Sequence, residues 1–303
     1  VQIKTILENE GSGFGDIFYW LNGKLVATKK IDFISSKTIE IKQSIKLPTG
    51  NSQLSVTATN AENKLVSNKK ILMLKNTSVI KPVLYVLTAS HDKYVNLPSS
   101  IELKHSHWDA RYFAKIIKQH NKKSYQQVVV ESLIGQSFTN DGINKSVKKV
   151  KQKMQENDAL IIYLTGLTNH DASDFYYLPM NATKLSTSPN NQISIKQLAH
   201  QFDHTDSQKI VMLLNINPSQ SIKGINNNHI SMQYRNIIQH INKQTGVNIL
   251  LIPKIDQLID LAFEEKSKMT LFVNQMLRNS DKLGNKDGLI SLKELFLYFK
   301  NNY

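Results

Sequence analysis

The chain contains no cysteine. That absence removes disulfides, thiolate metal sites and every mechanism that needs a cysteine nucleophile. It leaves the redox compartment open, because a thiol-free chain tolerates either environment. Arginine is scarce as well. Arg111, Arg235 and Arg278 are the only ones, so nearly all of the formal net charge of +14 rests on lysine. Readers of nucleic-acid sequence use arginine forks on bases and phosphates. A diffuse lysine excess suits a solvated surface better, so a nucleic-acid partner is the weaker reading. No apolar run reaches the length of a membrane span and no signal peptide is visible, so no integral membrane segment is expected. The chain begins at Val1 rather than Met, as a fragment or a processed form would.

What is present divides into two patterns. Residues 1–77 read as a small all-β sandwich. Apolar and polar residues alternate in Gln2–Ile6, Asp16–Leu21, Thr38–Ile45 and Gln53–Thr59, the period of a half-buried strand. Asn22-Gly23 between two such runs predicts a tight hairpin. Gly11, Gly13 and Gly15 precede a strand rather than a helix, so they read as a turn and not as a phosphate cradle. The polar stretch Lys75–Ser78 before Pro82 is the expected boundary.

Residues 83–303 read as an α/β domain. Val83–Thr88 is a continuous apolar run, as in a strand covered on both faces. Trp108, Tyr112, Phe113, Ile116 and Ile117 recur at helical spacing, as do Ile143, Val147, Val150 and Met154. Two further runs, Ala159–Thr165 and Lys209–Asn215, read as neighbouring core strands. Alternating strands and helices imply a mainly parallel sheet flanked by helices. In such a sheet, function sits just past the carboxyl ends of the strands. Each of the two runs is expected to end there in a polar loop, 166–170 and 215–219. Neither holds an evident nucleophile-and-base pair.

The order and wording of these segments resemble the bacterial caspase-like and metacaspase-like family, from about Val83 onward. Leu84–Leu87 with Lys93-Tyr94 resembles that family's first strand and loop. Asp158–Gly166 resembles the strand ending in its catalytic His-Gly, Phe175–Pro179 its tyrosine-leucine-proline strand, and Ile210–Asn217 the strand ending in Asp-x-Cys. Gln244–Gly246 through Asp256-Gln257, Thr270–Val273 and Asp287–Leu295 are similar to its closing elements. The β segment is similar to the sandwich that precedes this domain in bacterial chains that also carry a WD-repeat propeller. The resemblance implies a Cys thiolate, a His base and an oxyanion hole. In this sequence the His position falls on Leu167, its following Gly on Thr168, the acid position on Asn215 and the Cys position on Asn217. The expectation is therefore a pseudoenzyme with no catalytic residues and no cofactor. It would act as a structural or protein-interaction module in a larger bacterial assembly. A partner segment would lie in the old cleft or on the sandwich edge. Related propeller-containing chains tip the expected compartment towards the periplasm.

Two other readings stay open. Ser219 and His170 could form a divergent hydrolase pair, though both are shifted along the chain from the family positions. A basic nucleic-acid-binding module is the third. Metal sites are not expected. His91, His105, His107 and His120 surround the first strand and helix of the α/β domain, and His105-x-His107 has metal spacing without an evident third ligand. Asn285, Asp287, Gly288, Ile290 and Glu294 imitate a calcium loop, but its first position is Leu283. Ser291-x-x-Glu294 reads as a capping box. Lys148, Lys149, Lys151 and Lys153 read as a solvated helix face.

Overall fold

Asn22 and Gly23 hold φ of 51° and 84°, the pair of left-handed residues that a two-residue hairpin demands. They join β2 (Ile17–Leu21) to β3 (Lys24–Lys29). The structure, a computed structural model, describes all residues except 32–35, 79–80, 98–102, 104–105, 122–123, 172, 183–191, 208, 219–226, 254–267, 281–289, 292, 296 and 299–303. It has mixed α/β content, built on three sheets with few helices.

The first 76 residues form two of the sheets. β1 (Gln2–Glu8) and β4 (Thr38–Ser44) pair antiparallel. β3, β2, β5 (Gly50–Ala58) and β6 (Lys70–Asn76) lie in that order in a four-stranded antiparallel sheet. The two sheets share one apolar cluster. Ile3, Leu7 and Ile41 of the first pack with Ile17, Tyr19, Leu21 and Leu54 of the second, and Thr5 Oγ1 and the Tyr19 hydroxyl bond across the gap at 2.9 Å. The glycine-rich segment is a turn: Gly11 and Gly13 donate their amides to Asn9 Oδ1 at 2.9 Å each. β6 was not among the expected strands, and it runs through Lys75-Asn76, where the sequence suggested only a linker.

From Val83 the strands are mainly parallel, and the two short ones at Phe175–Tyr177 and Ile193–Ser194 join antiparallel. β7 (Val83–Ser90), α1 (Ser106–His120), β8 (Gln127–Ile134), α2 (Asn140–Lys153) and β9 (Ala159–His170) follow in turn. β10 (Phe175–Tyr177), β11 (Ile193–Ser194), α3 (Ile195–His200), β12 (Lys209–Pro218), α4 (Asn227–Thr245), β13 (Asn248–Pro253) and α5 (Lys268–Arg278) complete the sequence. The parallel strands lie in the order β8, β7, β9, β12, β13. β9 and β12, the two runs expected to be neighbours, pair in register from Ala159 with Lys209 to Thr168 with Pro218. Alternate side chains feed two apolar layers, because successive residues of a strand point to opposite faces. Leu87, Leu160, Ile162, Met212 and Leu214 meet Ile143 and Val147 of α2, Leu198 of α3 and Ile241 of α4. Val86, Tyr163 and Leu213 meet Phe113 and Ile117 of α1 and Val273 and Met276 of α5.

Three expectations need correction. The stretch 166–170 is strand, not loop, because β9 runs on to His170 and turns back into β10. The turn is held by Asp171, whose carboxylate accepts from the amides of Ser173 and Asp174 and from the Tyr176 hydroxyl at 2.7–2.9 Å. Residues 215–218 likewise extend β12. Trp108, counted on the apolar face of α1, is 49 % exposed; the Arg111 guanidinium lies 5.8 Å from its ring centre instead.

The β3 edge is covered by the α/β part. His204 donates its amide to the Leu25 carbonyl at 3.1 Å. The Lys24 ammonium, buried to 1 % exposure, donates to the carbonyl of Ser207 at 2.5 Å and to Thr205 Oγ1 at 3.0 Å. Among the described residues no helix is long and apolar enough to cross a membrane.

Candidate functional site

The chain leaves β7 towards β8 on one side and returns as β9 on the other. That reversal makes the crevice beyond β7 and β9 a topological switch point, the place where open α/β sheets bind ligands. One register row crosses it. Ser90 pairs with Thr165, and Thr165 with Asn215, so all three side chains point to the α1 and α5 face. All three are buried. Asn215 donates its amide to Thr165 Oγ1 at 3.2 Å.

The next residue on that face of β9 is Leu167, in register with Asn217. The positions that the family resemblance assigns to base and nucleophile therefore sit side by side on adjacent strands. Leu167 is 1 % exposed. It packs in a small cluster with Tyr94, Leu178 and Ala182, with Leu97 and Leu103 against it. The Leu167 amide donates to the Tyr94 hydroxyl at 2.8 Å. Burial pushes the Tyr94 phenol far above its ordinary range, outweighing the Leu167 amide, which favours the phenolate. Thr168, at the position of the family glycine, is fully buried. Leu167 is thus the centre of an apolar plug beyond the end of β7.

His91 follows β7 and His170 ends β9. Burial lowers His91 to about 4 against a smaller opposing pull from Asp92, so its imidazole is neutral at ordinary pH. Among the described residues neither ring nitrogen has a hydrogen-bond partner. The ring stands edge-on to Tyr94, with centroids 4.7 Å apart, and acts as an apolar wall. His170 ends β9, three residues beyond Leu167. That separation is about 10 Å along a strand and turns the side chain to the opposite face. Its Nδ1 lies 3.3 Å from the Asp171 carbonyl oxygen. Ser219 lies outside the described residues, so the Ser219–His170 pair is not assembled here.

The acids that follow His170 in the sequence, Asp171 and Asp174, accept from backbone amides. Asp171 fastens the β9–β10 turn, and Asp174 accepts from the amides of Phe175 and Lys196 at 2.8 and 3.0 Å. Asp174 also accepts the hydroxyl of Ser194, which in turn caps α3 by accepting the Gln197 amide at 2.9 Å. Burial raises Asp174, its hydrogen bonds pulling the other way.

The other expectations fall as follows. His107 Nδ1 sits 2.6 Å from the Asp92 carboxylate. His105 lies outside the described residues, and among those described no three His, Cys, Asp or Glu side chains gather as a metal site would require. Most of the calcium-like loop, 283–289, also lies outside them. The capping box is formed: Ser291 donates its amide and hydroxyl to the Glu294 carboxylate at 2.8 Å each. Of the lysines on α2, Lys149 pairs with Glu131 at 2.9 Å, while Lys148 and Lys151 line an open cavity of about 390 Å³ with Gln152 and Gln201. Sequence reasoning missed the bond from the Tyr163 hydroxyl to the Asp109 carboxylate beneath the site. A lone tyrosine inside an aliphatic run was the available signal, since a buried phenol needs a partner.

No known family profile matches the chain. No curated protein matches it either. Among solved structures it is similar to the protein GSU0716 from Geobacter sulfurreducens, at 14 % identity over 73 % of this chain and 89 % of that one, with a TM-score of 0.43. It is similar to the PilB minor pilin from Streptococcus sanguinis, at 9 % identity over 99 % and 94 % of the two chains, with a TM-score of 0.35. A 2,6-sialyltransferase from Photobacterium matches at 10 % identity over 99 % of this chain and 61 % of its own, with a TM-score of 0.28. None of these three bears the name of a caspase-like protein.

Proposed function

We propose that the part of the chain from Val83 onward is a catalytically inactive caspase-like domain, and that the whole chain serves as a structural or protein-interaction module in a larger bacterial assembly. The observation that carries this reading is Leu167. It falls where the family resemblance puts the base, cannot take a proton, and packs in a buried cluster with Tyr94, Leu178 and Ala182. Its register partner is Asn217, which cannot serve as an ionisable nucleophile. The chain has no thiol anywhere to replace one.

The test has two arms. Affinity capture from native cells with mild crosslinking is expected to return a reproducible, stoichiometric protein partner; an empty capture counts against the module. A peptide and ester panel is expected to show no turnover above buffer. Turnover that disappears in Ser219→Ala would establish the hydrolase reading in its place.

A further inference from the structure

The four-stranded sheet has two edges with opposite treatment. β3 is closed by the chain itself, through the His204 amide on Leu25 and the Lys24 ammonium on Ser207. β6 is bonded only to β5 among the described residues, in register from Lys70 with Val56 to Asn76 with Gly50. A free edge presents a row of unpaired amides and carbonyls, and proteins ordinarily blunt it with an inward charge, a proline, a bulge or a covering segment. The centre of β6 has none of these. Ile71, Leu72 and Met73 are 57 %, 49 % and 67 % exposed, and Leu65 and Val66 are exposed at 65 % and 66 %. Isolated apolar side chains on a surface need no explanation. Three consecutive ones on an open strand edge are a template for β-addition.

The charges select the occupant. The apolar stretch Ile71–Leu74 is bracketed by Lys69 and Lys70 before it and Lys75 after it, all exposed. None of the three pairs with a carboxylate among the described residues. A second copy of this chain is disfavoured. The free edge is carried by the backbone of Ile71, Met73 and Lys75, so two copies can meet only with Leu72 or Met73 opposite itself. The first register sets Lys69 opposite Lys75 twice, and like charges directly opposite repel, while the second sets Ile71 opposite Lys75. The chain's net charge of +14 adds to that repulsion.

We propose that β6 is a docking edge for an extended segment of a different protein, one whose apolar core is bracketed at both ends by Asp or Glu. The added strand pairs with β6 through backbone hydrogen bonds. Its carboxylates meet Lys70 and Lys75, and its apolar side chains cover Ile71, Leu72 and Met73. This assignment rests on the reading of the chain as a protein-interaction module and names its surface and the chemistry of its partner.

The probe is an end-blocked synthetic peptide, Asp-Glu-Val-Thr-Val-Val-Glu-Asp, with a control in which every acid is lysine. Titration with amide hydrogen exchange is expected to show binding of the acidic peptide and new protection at Ile71 and Met73, whose amides face away from β5. The acidic peptide should be preferred by about tenfold, as two favourable cross-strand charge pairs replace two repulsive ones. In the Lys70→Glu/Lys75→Glu variant the preference should invert. Ile71→Lys/Met73→Lys should abolish binding without moving the thermal midpoint, since both side chains are already in solvent. Equal binding of both peptides, binding to neither, protection at Leu167 instead of β6, or concentration-dependent self-association that protects β6 would each overturn the proposal. The module reading is judged separately. A captured partner that the Lys70→Glu/Lys75→Glu variant retains would remove β6 as the surface while leaving the module in place.

Discussion

The backbone amide of Leu167 is held by the phenol oxygen of Tyr94 at 2.8 Å, across 73 residues of chain. Gly166 lies against the same phenol, since a Cβ built there would sit 3.3 Å from the Tyr94 oxygen and 3.3 Å from the Tyr177 ring. Here β9 exchanges its parallel neighbour β7 for the antiparallel β10. An amide at such a change of partner has no strand carbonyl opposite it, and Tyr94 supplies the missing acceptor. Tyr94→Phe should leave a buried N–H unsatisfied and cost about 1–3 kcal/mol. Urea denaturation measures the loss, and faster exchange of the Leu167 amide than of its neighbours identifies the cause.

Leu167→Ala should open a void in the plug. Buried leucine-to-alanine changes cost about 2–5 kcal/mol, more where the site cannot collapse. Tyr94, Leu178 and Ala182 are all buried around it, which places this variant in the upper part of that range. Denaturant midpoints check it. No hydrolysis should appear in the emptied cleft.

Lys24 makes stability depend on alkaline pH. Burial is the largest influence on it and, with Lys151, lowers its pKa from 10.5 to about 7, against upward pulls from Asp203 and Asp206. Above pH 10.5 both folded and unfolded chains hold it neutral. Between 10.5 and about 7 the unfolded chain takes the proton and the folded chain does not, so stability falls as the pH drops through that window. Below about 7 the full penalty is present. Lys24→Met should flatten the slope between pH 7 and 10.5, read from urea midpoints across that range. An unchanged slope would assign it to other groups.

His91 acts on the acid side with the same sign. Its folded value of about 4 lies below the unfolded 6.5, so stability is lost as the pH falls from 6.5 through 4. Both ring nitrogens are already without partners among the described residues, so His91→Leu forfeits no hydrogen bond there. It should cost less than about 1 kcal/mol at neutral pH. It should also remove part of the acid sensitivity, as circular dichroism melts at descending pH would show.

Gly246 closes α4 with φ of 66°. A Cβ there would lie 2.6 Å from the Gly23 carbonyl oxygen and 2.6 Å from Lys24 Cα. Gly246→Ala should therefore cost about 1–3 kcal/mol for the left-handed residue alone, plus a displacement of the β2–β3 turn. The thermal midpoint gives the loss, and weaker exchange protection at the His204 amide would show the turn moving away.

The features visible in the sequence were those with one local cause. Asn22-Gly23 announced a turn because few residue pairs tolerate two positive φ values. β9 and β12 announced themselves by unbroken apolar runs, and Ser291 with Glu294 by capping chemistry. Features decided by distant packing were hidden. Thr168, Asn169 and His170 look like a polar loop, yet they pair with β10. Strand β6 escaped because its apolar residues do not alternate with polar ones, and of Ile71, Leu72, Met73 and Leu74 only Leu74 packs against the core. Lys24 looks like any other lysine until Thr205 and Ser207 arrive from about 180 positions away. The family resemblance singled out Leu167 and Asn217, but their pairing across β9 and β12 and the plug of Tyr94, Leu178 and Ala182 around Leu167 come from residues brought together by the fold.

The closure of β3 limits how many strands can ever join this sheet. A ribbon with both edges free can lengthen without end, as fibres do. This one has its β3 edge met at Leu25 by its own chain, so on the proposed reading an added strand joins at β6. In the vocabulary of assembly its valence is one: the sheet can finish a run of strands contributed by others, and it cannot relay that run onward.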